Sequence, residues 1–441
     1  MTGVATIIAA LSAIAWAWLL LARGSFWRCR KAPLSLTRNT HPAGAEEQAS
    51  DPKYRSLSER VVAVVPARNE EEFIGRSVGS LLAAGIRVVV VDDHSSDKTV
   101  AVARAAAAAL QQRQSPGASA GQRLTVIAAK PLPAGWSGKL WALNQGIEEA
   151  LSPPSKSNNG ACREPRTENL GADSAGPISL PEFLLLTDAD IAHTPETIRR
   201  LLEIADSGYD LVSFMVKLEC RTLPERLLLP AFVFFFFMLY PPAWVSDPRH
   251  RTAGAAGGCI LIRPAALARA GGLEAIRDEI IDDCALASAV KRSGGRLWLS
   301  LTESSASLRP YESLAEIGRM ISRTAFKQLR HSAWLLLATL LGLGIVYLAP
   351  PVLLFSAGGT AAALAGSAWA AMALAYLPMI GFYGLSPLWA FGLPLAAAFY
   401  AGATVYSALL YWSGRGGRWK GRVQDAPGSG SGASSGTRTS L

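Results

Sequence analysis

Three acidic pairs in this sequence have the spacing to do chemistry. VVVVDDHSSDKT (88–99) sets Asp92 and Asp93 behind a β-branched run, TDAD (187–190) sets Asp188 and Asp190 two residues apart behind FLLL, and EIIDDCALA (279–287) carries Asp282 and Asp283. Carboxylates at i and i+2 on a strand end can face one hard cation. Mg2+ or Mn2+ suits them, because such ions take few protein oxygens and share the rest with phosphate. A carboxylate that ends a strand beside the next helix can instead accept the N–H of a nucleobase, although a DDHSSD run also suits plain helix capping. The Asp282–Asp283 pair reads as a general base for a hydroxyl, whose proton must leave as it attacks, or again as a helix cap. In GWSGKLWALNQG (135–146), Lys139 is a candidate phosphate contact and Asn144 a second, against the bland alternative of a solvated lysine.

These side chains need a scaffold that presents strand ends. VVAVVP (61–66), RVVVVDD (87–93), LTVIAA (124–129) and FLLLTDAD (183–190) are short apolar runs stopping at Pro, polar or acidic residues, with a helical stretch over 70–84 after the first. They predict an α/β domain over 60–330: an open, doubly wound, mostly parallel sheet whose ligands collect at the carboxyl edge. Residues 112–122 and 151–179, rich in polar residues, Gly and Pro, are expected to be mobile insertions.

The rest of the chain calls for lipid. Hydrophobic residues make up 50%, charged residues only 17%, and the mean hydropathy is +0.22. Residues 1–22 and 332–414 contain no Asp, Glu, Lys or Arg. They predict an N-terminal transmembrane anchor (1–23) followed by a linker (24–59), and a C-terminal transmembrane region (332–414) followed by a basic, then disordered, tail (415–441). Net charge is +9, and part of the surplus abuts the apolar runs: Arg23, Arg28, Arg30 and Lys31 after the first, Arg415, Arg418, Lys420 and Arg422 after the last. Such clusters favour the cytoplasmic face, which places the catalytic domain in the cytoplasm on a multi-pass protein of the inner (plasma) membrane. The 83-residue C-terminal run holds three spans by length, yet the trailing cations ask for an even number of crossings, so two complete crossings and one dipping segment are expected. Residues 227–246 (LLLPAFVFFFFMLYPPAWVS) are also uncharged. A crossing there would separate Asp188/Asp190 from Asp282/Asp283, so the run is expected along the membrane face, lining an acceptor groove, or in the core. No basic stripe interleaved with aromatics marks a nucleic-acid surface. The cysteines Cys29, Cys162, Cys220, Cys259 and Cys284 have no metal-site or disulfide-framework spacing.

VVAVVPARNE (61–70), the DDHSSD run, TDAD and EIIDDCALA occur in the order seen in family 2 glycosyltransferases, which the 61–330 region resembles. The resemblance implies a nucleotide-sugar transferase type A-like fold. It implies a donor site at Pro66, Ala67, Asn69, Glu70, Asp92, Asp93, Lys139 and Asp188, with Asp93 on a uracil ring and hence a UDP-sugar donor. It makes Asp190, helped by Asp188, the metal ligand, and Asp283, beside Asp282, the base of an inverting displacement. Family members that act near membranes carry a Gln-x-x-Arg-Trp signature; here GRMISRTAFKQLRHS (318–332) lacks the Trp. Arg319, Arg323 or Arg330 remains for the leaving diphosphate, with Arg323 chosen. The anchor, apolar C-terminus and WKGR (419–422) are most similar to bacterial hopene-associated glycosyltransferases, then to ceramide glucosyltransferase-like enzymes. That implies a membrane lipid acceptor, hopanoid-related. A nucleotidyltransferase would open with a Gly-rich basic loop, where PARNEEE is acidic; a non-enzymatic membrane scaffold with a degenerate transferase domain is the other alternative.

Overall fold

The computed structural model describes residues 2–29, 31, 57–113, 123–152, 180–279, 281–419 and 422–425. The two expected insertions, most of the linker and the end of the tail therefore lie almost wholly outside the described residues. Helix α1 (Thr2–Ala22) is the N-terminal apolar run. The domain opens with β1 (Val61–Ala67), α2 (Ile74–Ala83), β2 (Arg87–Asp92), α3 (Thr99–Arg113), β3 (Leu124–Ala128), α4 (Gly138–Leu151) and β4 (Phe183–Leu186). Next come β5 (Ile191–His193), α5 (Pro195–Asp206), β6 (Leu211–Lys217) and α6 (Leu223–Leu239). It closes with β7 (Ile260–Ile262), α7 (Asp282–Arg292), β8 (Leu297–Ser307) and α8 (Leu314–Ser322).

The strands form one sheet in the order β3-β2-β1-β4-β7-β6-β8-β5. Side-chain alternation along the strands decides its two layers. Val61, Ala63 and Val65 pack with Val78, Leu81 and Leu82 of α2 and Ile198, Leu201 and Leu202 of α5. Val62, Val64, Val89 and Val91 face Leu140, Leu143 and Ile147 of α4. The β3-β2-β1-β4 half is parallel, as expected, but β7 enters antiparallel to both β4 and β6, and β5 antiparallel to β8, so the sheet is mixed. β5 and β7 have three residues each, too short for hydrophobic periodicity to reveal them.

The expected linker is partly wrong. Phe26 and Cys29 are buried, Phe26 packs edge-on to Phe234 of α6, and Lys31 bridges to Leu301 of β8. The start of the 24–59 stretch thus belongs to the core.

Among the described residues, four helices are apolar and long enough to cross a membrane: Gly3–Ala22 within α1, then α9 (Ala333–Ser356), α10 (Gly359–Phe382) and α11 (Pro387–Trp412, its α-helical part Leu393–Trp412). At 24 residues, α9 and α10 are each about 36 Å long, a full hydrocarbon crossing. Pro350 has no N–H for the Val346 carbonyl, and a π turn covers 344–348. Trp16 Nε1 of α1 donates to that carbonyl at 2.9 Å instead. That bond ties α1 to α9.

The domain-side ends are legible from contacts. Arg23, past the end of α1, donates to Met238 O, and Phe382, ending α10, lies under the Lys31 and Lys217 ammoniums. Helix α11 touches the domain along its length: Tyr400 donates to Leu228 O, Ser407 donates to Ser322 O and accepts from Phe326 N, and Tyr411 stacks on His331 at 4.0 Å. Its face Leu393, Ala396, Ala397, Ala403, Thr404, Ser407 and Ala408 is buried, whereas Leu395, Tyr406 and Leu409 are exposed. Beyond it, in the stretch expected to be basic, Gly416–Trp419 and Arg422–Asp425 pair antiparallel.

Candidate active site

The carboxyl edges of β1 and β2 form one corner. Asp93 N donates to Ala67 O at 2.8 Å, and Arg68 Nη1 donates to Asp93 O at 2.7 Å and reaches Asp93 Oδ2 at 3.4 Å. Asn69 takes a left-handed φ of 52°, which Asn tolerates, and clasps the next loop: its N–H donates to Ser95 Oγ and its Oδ1 accepts from Ser96 N. Asp92 accepts from Ser95 N. Asp93 is 4% exposed, and Arg68 Nε is buried with no hydrogen-bond partner among the described residues.

Next to this corner lies a cavity of about 530 Å³. It gathers Pro66, Glu70, Lys139, Asp188, Asp190, Asp282, Asp283 and Arg323 from the expected site. Ala67, Asn69, Asp92 and Asp93 do not line it; they form the neighbouring corner. Asn144 pairs with Glu148 on the exposed side of α4, away from the cavity.

Lys139 ties two acidic motifs together, 2.9 Å from Asp188 and 3.3 Å from Asp282. It sits there because Ser137 caps α4, accepting from Leu140 N, so the helix begins at the cavity. Asp283 Oδ2 accepts from Gly257 N at 2.9 Å and Oδ1 from Cys284 N at 2.7 Å. A side chain on Gly257 would put its Cβ 3.3 Å from Asp283 Oδ2, so glycine permits this approach.

Burial, then Asp282, pushes the Asp283 carboxyl up to about 6 against the pull of Lys139. Asp188 is raised by burial, although Lys139 opposes it. Burial works against the Lys139 ammonium, but Asp188, Asp282 and Asp283 outweigh it and hold its pKa above the ordinary lysine value. The cluster therefore keeps Lys139 charged and Asp283 as a weak base near neutral pH.

Arg309 is a site residue that sequence reasoning missed. It follows β8, and its guanidinium bridges Asp190 Oδ2 and Glu70 Oε2, both at 2.7 Å, over the Phe73 ring. Arg309 also lines the cavity. The available signal was a basic residue just past a strand's carboxyl end, where ligands gather. A second device holds it. Thr222 and Glu225 form a capping box on α6, and Glu225 Oε1 accepts from Tyr311 N at 2.8 Å, fixing the segment after Arg309. Arg319 and Arg323, at the end of α8, are exposed at the cavity mouth; Arg330 is not among the lining residues.

Helix α6 decides the fate of 227–246. It is one 17-residue helix, short of a span, with Phe232 and Phe236 on the cavity. Phe234 and Phe235 turn the other way, onto Tyr376 of α10, Tyr347 of α9 and Tyr400 of α11. It is thus both a core helix and part of the cavity lining, next to the apolar C-terminal helices.

No curated protein sequence matches the chain. Among solved structures, it resembles the mannosyltransferase PcManGT from Pyrobaculum calidifontis, solved with GDP-Man and Mn2+ (18% identity, 91% of this chain and 99% of that one, TM-score 0.49). Glucosyl-3-phosphoglycerate synthase from Mycobacterium tuberculosis, solved with Mg2+ and UDP, is also similar (16% identity, 59% and 75%, TM-score 0.35). The glycosyl transferase family 2 model matches residues 62–153, the strand–helix half with Asp92, Asp93 and Lys139. The glycosyl transferase family 21 model matches residues 177–425, which include both remaining acidic pairs and the apolar C-terminus. That second match spans more than half of the sequence: this chain is a glycosyltransferase and belongs to glycosyl transferase family 21.

Proposed function

We propose that this enzyme transfers a sugar from a nucleotide-sugar, UDP-linked, to the hydroxyl of a membrane lipid by single displacement with inversion. One observation carries the reading: a single cavity is lined both by Asp188, Asp190, Asp282 and Asp283 and by Phe232 and Phe236 of α6, a helix whose Phe235 packs on Tyr347 and Tyr400 of the apolar C-terminal helices. A polar donor and an apolar acceptor suit such a mixed lining. The nucleobase belongs in the β1–β2 corner, where Asp93 accepts a ring N–H and the unpartnered Arg68 Nε–H offers a donor to a ring carbonyl.

A divalent cation, Mg2+ or Mn2+, fits the donor set. Asp190 and Asp188 supply hard oxygens at the cavity wall. Asp190 and Asp188 would hold the ion, and donor oxygens would complete its shell. When bound, the ion neutralises charge on the departing nucleotide diphosphate. Arg323 and Arg319 approach that leaving group from the mouth. Asp283 takes the acceptor's proton during attack, and Asp282 holds Lys139 beside it. The acceptor is of the hopanoid-related kind that the sequence resemblance implies.

In the membrane, α9 and α10 make two complete crossings. Helix α11 lies along the domain with its exposed apolar side in lipid, and the domain and tail share the cytoplasmic face. The contacts of the middle and C-terminal end of α11 with the domain support this. The test is to incubate membranes with labelled UDP-sugars and extract the lipid. Label is expected in the organic phase; label confined to water-soluble products would refute the acceptor class.

A further inference from the structure

Beneath the turn that carries Asp188 and Asp190 runs a buried polar chain. Thr187 Oγ1 donates to Gly258 O at 2.8 Å and lies 2.8 Å from His193 Nε2. His193 Nδ1 lies 2.8 Å from Ser305 Oγ, which lies 2.9 Å from Thr197 Oγ1 on α5. All four side chains are buried, His193 at 3% exposure. Burial lowers the His193 pKa to about 4, so the ring is neutral at physiological pH. Thr187 has one hydroxyl proton and gives it to a carbonyl. Its oxygen can therefore accept from Nε2–H, while Ser305 Oγ gives its own proton to Thr197 Oγ1.

The geometry has two consequences. The Thr187–His193 bond closes the 187–193 segment across its base, and Asp188 and Asp190 lie inside that closure. The Thr187–Gly258 bond ties the same turn to the loop whose Gly257 N–H holds Asp283.

We propose that Thr187 and His193 are positioning residues that hold the Asp188–Asp190 turn in register with the Asp283 loop, so that donor and base meet at one distance. This rests on the functional reading of Asp190 and Asp283 given above. Neither side chain lines the cavity, so both act through other residues. Loss of such supporting bonds typically costs about 10–100-fold in activity.

The test compares full-length wild type, Thr187→Val, Thr187→Ser, His193→Leu and His193→Gln in lipid nanodiscs. It measures kcat and donor KM for transfer from UDP-sugar, Mn2+-dependent UDP binding by calorimetry to count competent sites, and thermal stability. Valine keeps the shape of threonine and loses the hydroxyl; glutamine can still donate to Thr187. The expected result is a kcat about 10–100-fold lower per UDP-binding site for Thr187→Val and His193→Leu, with a smaller change in KM. Thr187→Ser and His193→Gln should recover much of the loss. Wild-type kcat in Thr187→Val, serine as damaging as valine, or a loss that vanishes per UDP-binding site would overturn the proposal. A wild-type protein that binds UDP with Mn2+ and transfers nothing to lipid would overturn the functional reading, and this proposal with it.

Discussion

Replacing Asp283 by asparagine removes the base, and the structure shows that the change is not innocent. Both carboxylate oxygens accept backbone N–H groups, from Gly257 at 2.9 Å and Cys284 at 2.7 Å. Asparagine has one carbonyl oxygen, so in either flip its NH2 faces an N–H donor. A lost bond and an unsatisfied group cost about 1–3 kcal/mol of local stability. The turnover effect is separate: a lost general base costs at least about 100-fold, or roughly 2.7 kcal/mol of barrier. Lys139 keeps Asp188 and Asp282 as partners, so donor binding should survive. The assay measures kcat at saturating donor beside UDP affinity by calorimetry on the same preparation. The expected outcome is near-normal affinity, lower thermal stability and collapsed turnover. Collapsed affinity with normal turnover of bound donor would refute the assignment and make Asp283 a binding residue.

Asp190→Ala should abolish transfer and weaken metal-dependent UDP binding, and EDTA should silence the wild type; full activity in either case would remove the metal from the account. The acidic limb of kcat/KM should fall at about pH 6, where Asp283 protonates, not near the ordinary Asp value of 3.8. The sign for stability is opposite: the folded carboxyl keeps its proton to higher pH than the unfolded one, so this group's contribution is lost as pH rises through that window. Lys139→Met removes a cation that holds Asp283 down, so the limb of the residual activity should move to higher pH; a fixed limb would assign it to another group. A cysteine placed after residue 425 should stay unlabelled by impermeant reagents on intact cells, since the middle and C-terminal end of α11 meet the domain; efficient labelling in an active variant would restore three crossings.

The parallel half of the sheet was legible because Val61–Val65 and Val88–Val91 are apolar runs stopping at polar ends, which is the pattern of a strand buried on both faces. The mixed half was not. β5 and β7 owe their existence to neighbours rather than to their own three-residue sequences, and their antiparallel entry depends on long-range pairing. The acidic site was legible in part, since strand ends converge on one edge whatever the loops do. Asp188, Asp190, Asp282 and Asp283 accordingly share a cavity. Arg309 escaped because one arginine after a strand has no local pattern; its meaning comes from Glu70 and Asp190, far away in sequence. Of α11 only the uncharged run was legible; its packing against Ser322, Phe326 and His331 depends on contacts with residues far away in sequence.

The most direct measurement is the anomeric configuration, by NMR, of the sugar in the lipid product made by purified full-length protein in nanodiscs from an α-linked UDP-sugar. A β-linked glycolipid, formed by wild type and not by Asp283→Asn, is the expected result. An α-linked product, or free sugar with no glycolipid, would contradict single displacement onto a membrane lipid.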